Sequence, residues 1–177
     1  MNRPLPAPGP ALIAAAAAAL VACSPGLDWR QVRPENTGLE ALFPCKPLSH
    51  AREVPLGGAT GRMSMFSCST SGMTFGVTHV DLGDPARVTP ALNELRAAAV
   101  GNLGGQETVL GPAGVAGMTP NPQALRIAVA GRRADGSALA QHAAFFAKGT
   151  HVYQASVVGT RLSDEALDSF FSGLRLP

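Results

Sequence analysis

The sequence predicts an α+β fold: a central antiparallel sheet with a long middle helix and a C-terminal helix packed on it. Three observations carry this. Between Ala124 and Gly159, three apolar runs are separated by Asp135-Gly136 and Lys148-Gly149-Thr150, the turn chemistry of an antiparallel meander. From Asp84 to Leu103 the apolar residues Val88, Leu92, Leu95, Ala99 and Leu103 fall at spacings of four, three, four and four, the stripe of an amphipathic helix. Ser163 followed by Asp164 and Glu165 opens a second helical stretch, with a capping oxygen for the free amides and carboxylates where the macrodipole favours them.

Ahead of these elements, Arg3 precedes an apolar run from Ala11 to Ala22 that closes as Leu20-Val21-Ala22-Cys23. A charged start, an apolar stretch of about a dozen residues and small residues at the cut site are the parts of an export signal. The run is shorter than the roughly 20 apolar residues that span a bilayer. Ala22 before Cys23 matches the lipobox of bacterial lipoproteins, where the thiol receives a diacylglycerol, cleavage precedes the cysteine, and acyl chains such as palmitate make the anchor persistent. Ser24, where an aspartate would retain the protein in the inner membrane, points to the outer membrane facing the periplasm. The expected organisation is a signal peptide over 1–22, a lipidated tether over 23–37 and one domain over 38–177.

Without the export segment about 155 residues remain, the size of one domain with one core. Fourteen Lys and Arg, thirteen without Arg3, face twelve Asp and Glu. That near-neutral balance, with no basic block, argues against a nucleic-acid partner. Arg132 and Arg133, just before Asp135-Gly136, read as a solvated hairpin end.

Along the chain, the tether is polar and holds Pro25, Pro34, Asn36 and Gly38, with Trp29 expected at the domain edge or the membrane surface. Leu39 to Phe43 reads as a short strand ended by Pro44-Cys45-Lys46-Pro47, since neither proline can donate to a ladder. About 35 residues without helical period follow, broken by Gly57-Gly58 and Ser71-Gly72; within them Arg62 to Ser69 and Met73 to Leu82 form a hairpin. Phe75, Val77 and His79 share one face of the second strand and Gly76, Thr78 and Val80 the other. Neither face is strongly polar, so the sheet is expected to be covered on both sides. Asp84-Pro85 and Thr89-Pro90 are both competent helix starts, and Gly104-Gly105 ends that helix. A short strand around Val109-Leu110 and a surface loop from Met118 to Pro122 come next, making Gly104 to Gln123 a candidate binding segment. The closing helix buries Leu167, Phe170 and Phe171, and Gly173 stops it.

With Cys23 taken by lipid, Cys45 and Cys68 are the remaining thiols, and an exported protein meets an oxidising compartment. A disulfide between them is expected. A redox-active pair would instead favour C-x-x-C at a helix start.

A strand ending in Phe43-Pro44-Cys45-Lys46-Pro47, a hairpin, a long helix ending in Asn102-Leu103-Gly104-Gly105, paired strands around Val152-Tyr153 and a closing Phe170-Phe171-Ser172-Gly173-Leu174-Arg175-Leu176 resemble a PsbP-type domain of secreted bacterial proteins over residues 37–177. The resemblance implies a central antiparallel sheet with helices packed on it, in a fold whose better-known members bind protein partners without catalysis. It implies no shared catalytic motif, and Cys45 stands where similar sequences often have glycine.

The chemistry-bearing residues are scattered. The chain lacks H-E-x-x-H, a P-loop, G-x-G-x-x-G and G-x-S-x-G. His50, His79, His142 and His151 stand singly. His79 and Asp81 can share a strand face at period two, with His142 or His151 approaching from neighbouring strands as a metal or acid–base site; a lone strand histidine is more often structural. Ser67, Ser69, Thr70 and Ser71 with His79 and Asp81 offer a hydrolase reading, against which they are simply good turn residues. Met63, Met65 and Met73 offer soft thioethers to copper, although methionine more often fills core gaps.

The favoured reading is a membrane-anchored, periplasm-facing lipoprotein, with no catalytic, cofactor or metal site, that binds an envelope protein or a small ligand. The alternative is a metal-handling protein or hydrolase assembled from the scattered His, Asp, Met and Ser residues. Replacing Cys23→Ser is expected to abolish processing and membrane attachment, read by the mobility of the protein and its partition between membrane and soluble fractions; unchanged processing and attachment would remove the anchor.

Overall fold

The computed structural model describes residues 27–133 and 135–177. The expected signal peptide and the lipidation site Cys23 lie outside the described residues. The sheet follows from two meanders. The first holds β3 (Leu48–Leu56), β4 (Ala59–Thr70) and β5 (Met73–Asp81); the second holds β6 (Gln106–Pro112), β7 (Leu125–Arg132), β8 (Ala138–Lys148) and β9 (His151–Gly159). They join through β5 and β9 into one seven-stranded sheet of order β3-β4-β5-β9-β8-β7-β6, antiparallel throughout. A separate two-stranded ribbon pairs β1 (Arg30–Val32) with β2 (Ala41–Phe43). The fold is thus α+β with a large antiparallel sheet and two helices, and among the described residues no helix is long and apolar enough to cross a membrane.

The sheet is covered along one face and over part of the other: in β5 Phe75, Val77 and His79 are buried, whereas on the opposite face Val80 is buried, Gly76 and Thr78 are half-buried and Thr74 is exposed. On one face, helix α1 (Val88–Leu103) lays Val88, Leu92, Leu95, Ala99 and Leu103 over Met63, Val80, Ile127, Val129, Phe145 and Val152. On the other, α2 (Asp164–Ser172), the β1–β2 ribbon and the tail residues Leu174 and Leu176 cover Phe75, Val77, Phe146, Tyr153 and Val157. Asp84 caps a 3₁₀ turn over Pro85–Arg87 by accepting from the Ala86 amide, and α1 continues from Val88 to a left-handed Gly104. Ser163 caps α2 through the Ala166 amide.

Two local features differ in cause from the sequence reading. Gly173 ends α2 with an ordinary right-handed φ of −79°; its lack of a side chain matters because a Cβ there would stand 2.6 Å from Leu42. Gly57, at φ 60°, turns β3 into β4 where a Cβ would meet the Arg87 carbonyl at 2.9 Å. The Arg87 guanidinium fixes that turn, donating to the carbonyls of Leu56, Gly57 and Leu82 at 2.8 to 2.9 Å. These charge-assisted bonds dock the start of α1 on the β3–β4 hairpin.

The stretch expected to be a tether is folded from Leu27 onward. Leu27, Trp29 and Val32 pack against the α2-side core, Trp29 edge-on to Phe75 with ring centres 5.9 Å apart. Pro34 and Thr37 are buried. Chain ends are tied together: Glu40 and Arg175 exchange backbone hydrogen bonds at 2.9 Å, and the Leu176 amide donates to Ala116.

Cys45 and Cys68 form the expected disulfide, with Cα atoms 5.9 Å apart. Cys68 lies in β4, whereas Cys45 sits in the bend after β2, so the bridge fastens the ribbon to the main sheet rather than strand to strand. Replacing both with alanine is expected to cost about 3 kcal/mol through restored loop entropy in the unfolded chain, seen as a lower urea midpoint; an unchanged midpoint would show that the ribbon needs no staple.

Candidate functional site

The β5–β9 pairing assembles the densest polar cluster on the α2 side of the sheet. His79 stands opposite Tyr153 and Asp81 opposite His151, so all four side chains project from one face. His79 is buried, at 6 % exposure, and its Nε2 lies 2.9 Å from His151 Nδ1. The ring centres are 5.2 Å apart and the planes differ by 16°. That separation is the nitrogen–nitrogen contact plus one ring radius at each end, so the imidazoles meet edge to edge along a single line. One nitrogen donates and the other accepts, and the contact holds one proton.

Asp81 closes the outer end. Its Oδ2 lies 3.9 Å from His151 Nε2, while Oδ1 accepts from the Gly83 amide at 3.0 Å and from the Thr150 hydroxyl at 2.7 Å. The hydroxyl bond, then the amide bond, holds the Asp81 carboxyl below the usual carboxylate range. With both partners about half exposed, the ion pair itself is weak. At the inner end, His79 leans on the Tyr153 ring, centres 5.1 Å apart, and Tyr153 lies nearly parallel to Phe146. The Tyr153 hydroxyl donates to the Thr37 carbonyl at 2.6 Å, and burial, reinforced by Asp81, raises this phenol to about 12.

Burial also governs His79. Desolvation first, and the neighbouring His151 second, push its imidazole down to about 4, against a smaller opposing pull from Asp81. The arrangement is a carboxylate–imidazole–imidazole line running from solvent to a buried neutral ring. The 3.9 Å between Asp81 and His151 is too long for a hydrogen bond, so the shared proton is confined to the His79–His151 contact. With a proton between them, the two in-line nitrogens offer no pair of lone pairs aimed at a common point, so the pair cannot chelate one ion without a ring turning. Among the described residues no group of three or more His, Cys, Asp or Glu is placed to hold a metal.

The other candidates are separated. His142 sits on β8 beside Arg126, where burial and then Arg126 lower its pKa, and it does not reach His79. His50 is exposed on β3. Ser67 and Ser69 project to the opposite face from His79, and Ser69 shares a hydrogen bond with Thr74 at 2.8 Å. Thr70 and Ser71 belong to the β4–β5 turn, with Ser71 at φ 50° and Gly72 at φ 73°, the positive angles that a two-residue hairpin needs. The serine–histidine arrangement is therefore not assembled from those residues; Ser64 is the hydroxyl opposite His79. Met63 packs under α1 and Met73 in the other core, so the sheet divides the methionine cluster. Arg132 and Arg133 are exposed at the hairpin end.

Sequence reasoning missed Tyr153 and Thr150 as members of the cluster, and Arg87 as the clamp. Compared with known protein families, curated proteins and solved structures, the chain matches none.

The depressed pKa makes stability depend on pH. As pH falls below 6.5, an ordinary imidazole in the unfolded chain takes up a proton that folded His79 refuses until about 4. Its stabilising contribution is thus complete above 6.5 and lost as pH falls through that window, on the order of 3 kcal/mol in all. Urea midpoints are expected to fall from pH 7 to pH 4, and His79→Gln to flatten the fall; His142, shifted in the same sense, supplies the residue of the slope. An equal slope in His79→Gln would show that the buried imidazole titrates normally.

Proposed function

We propose that the protein is a lipid-anchored envelope protein of PsbP-like architecture, held through Cys23 with its domain facing the periplasm, that acts by binding a partner protein or a small ligand and not by catalysis. One observation carries the binding role. Val109 and Leu110 stand 50 % and 48 % exposed on β6, an edge of the sheet, within the Gly104 to Gln123 segment. Exposed apolar residues on an edge strand paired on one side only, to β7, suit strand addition by a partner. The opposite edge, β3, opens with the still more exposed Leu48 but continues through Arg52, Glu53 and Pro55, residues that discourage pairing.

The PsbP-like reading rests on element order alone: strand, hairpin, long helix, paired strands, closing helix. The anchor reading rests on the lipobox and is supported by how soon the fold begins after it, with Ser24, Pro25 and Gly26 between Cys23 and Leu27. The rival, an acid–base or metal-handling protein, has the Asp81–His151–His79 line in its favour. Against it, that line ends on the aromatic rings of Tyr153 and Phe146 with no nucleophile hydrogen-bonded to His79.

A photocrosslinking residue at Val109 of the Cys23-bearing protein in living cells is expected to capture a reproducible envelope protein. The same residue at Arg52, or at Val109 in a Cys23→Ser chain, is expected to give little or none. Equal capture from both edges would refute partner binding through β6, and a clean negative at good crosslinking yield would move the weight to a small ligand.

A further inference from the structure

We propose that the cavity between the β1 segment and the start of β3 is a binding pocket for the anionic phospholipid headgroups of the membrane that holds Cys23. The inference rests on the anchor reading for the choice of occupant.

The cavity has a volume of about 330 Å³ and is lined by Arg30, Arg33 and Lys46, with Val32, Pro34, Pro47 and Phe66 as apolar surface. Three cations over an apolar floor fit a phosphate ester attached to a hydrocarbon. Glu35 is the one carboxylate in the lining. Arg33 is held by Glu40 at 2.6 Å and Arg30 contacts Asp28 at the surface, whereas Lys46 forms no ion pair among the described residues. Its ammonium is therefore available to a phosphate, which Lys meets as a point charge.

Position supplies the second argument. The Asp28 amide donates to the Pro44 carbonyl at 3.2 Å, so the described chain starts beside Pro44-Cys45-Lys46, close to the side of the cavity that Arg30 and Lys46 line. Four residue steps from Leu27 to Cys23 span at most about 14 Å. A lipid on Cys23 therefore keeps that side of the cavity close to the headgroup layer, where a cation near an anionic surface strengthens binding about fivefold. A soluble acidic metabolite would not need the cavity to lie near the chain's membrane end.

The test uses residues 24–177, which contain every described strand, helix and core residue and carry no lipid. Cosedimentation is measured with vesicles of phosphatidylcholine alone and of phosphatidylcholine with phosphatidylglycerol. Binding is expected to the anionic vesicles only, and to fall about 25-fold in Lys46→Gln/Arg30→Gln, two charges at about fivefold each, while Arg52→Gln on the exposed far face of β3 leaves it within about twofold. Circular dichroism confirms folding of each variant. An equal loss in Arg52→Gln would reduce the effect to diffuse charge and overturn the pocket. So would no vesicle binding, or saturation by glycerol phosphate without any binding to vesicles. Because this chain lacks the lipid, vesicle failure beside normal Cys23-dependent processing overturns the pocket alone, and processing that ignores Cys23 overturns the anchor alone.

Discussion

The antiparallel pairing of β5 with β9 is the constraint on which the rest depends. Among the described residues it is the sole strand pairing between the two meanders, and it runs without a break from Met73 opposite Gly159 to Asp81 opposite His151. A slip of one residue would exchange the two faces of a strand. Phe75, Val77 and His79 would then face α1, and Val80 would leave the core it shares with Leu92 and Leu95. Since β5 and β9 bury their α2-side residues almost throughout, each register error would also strand polar groups in apolar surroundings. The same register sets the imidazole line, because His151 can reach both His79 and Asp81 only when it stands opposite Asp81. Long-range pairing of this kind is slow to form.

The α2 side is closed by the two ends of the described chain, not by α2 alone. Tyr153, in the centre of the sheet, holds the Thr37 carbonyl, and Thr37 itself donates to the Pro34 carbonyl at 2.7 Å. Arg175 then joins Glu40 on one side and Ala116 on the other. The Lys148 ammonium donates to the carbonyls of Leu176 and Pro177. Each tie satisfies a backbone group that a buried chain end would otherwise leave without a partner. The disulfide adds a covalent tie at the same ribbon, so the N-terminal segment is a structural layer of the domain.

How much was legible in the sequence follows from which residues bury a periodic face. The stripe of α1 is a four-turn repeat and reads directly, and so do the meander of β7 to β9 and the cap of α2. The pairing of Cys45 with Cys68 reads from the chain's three cysteines once Cys23 is assigned to lipid. Strand β3 was not legible because it is an edge whose side chains are almost all exposed, leaving no alternation to detect. The β1 segment reads as a tether because its three residues carry a single apolar side chain, and its partner β2 lies beyond Pro34 and Gly38. His79 and Asp81 were placed on one face correctly by period two. The choice between His142 and His151 as their neighbour depended on strand order, which spacing alone does not contain.

The direction of β5 gives the domain two unlike ends. Met73 and the β4–β5 turn lie toward the segment that enters at Leu27, and Asp81 lies eight residues further along, about 26 Å away at the rise of a strand. At that far end the Asp81–His151–His79 line meets Thr150. The loop around Thr119 is pinned there too, its amide donating to Ala147 at 2.7 Å and its hydroxyl accepting from Gly149 at 3.0 Å. Asn121 donates to Thr89 at the start of α1. Under the proposed anchoring, the cationic cavity faces the bilayer while this pinned, titratable end faces away from it. A rigid loop there costs little ordering entropy on contact with a partner.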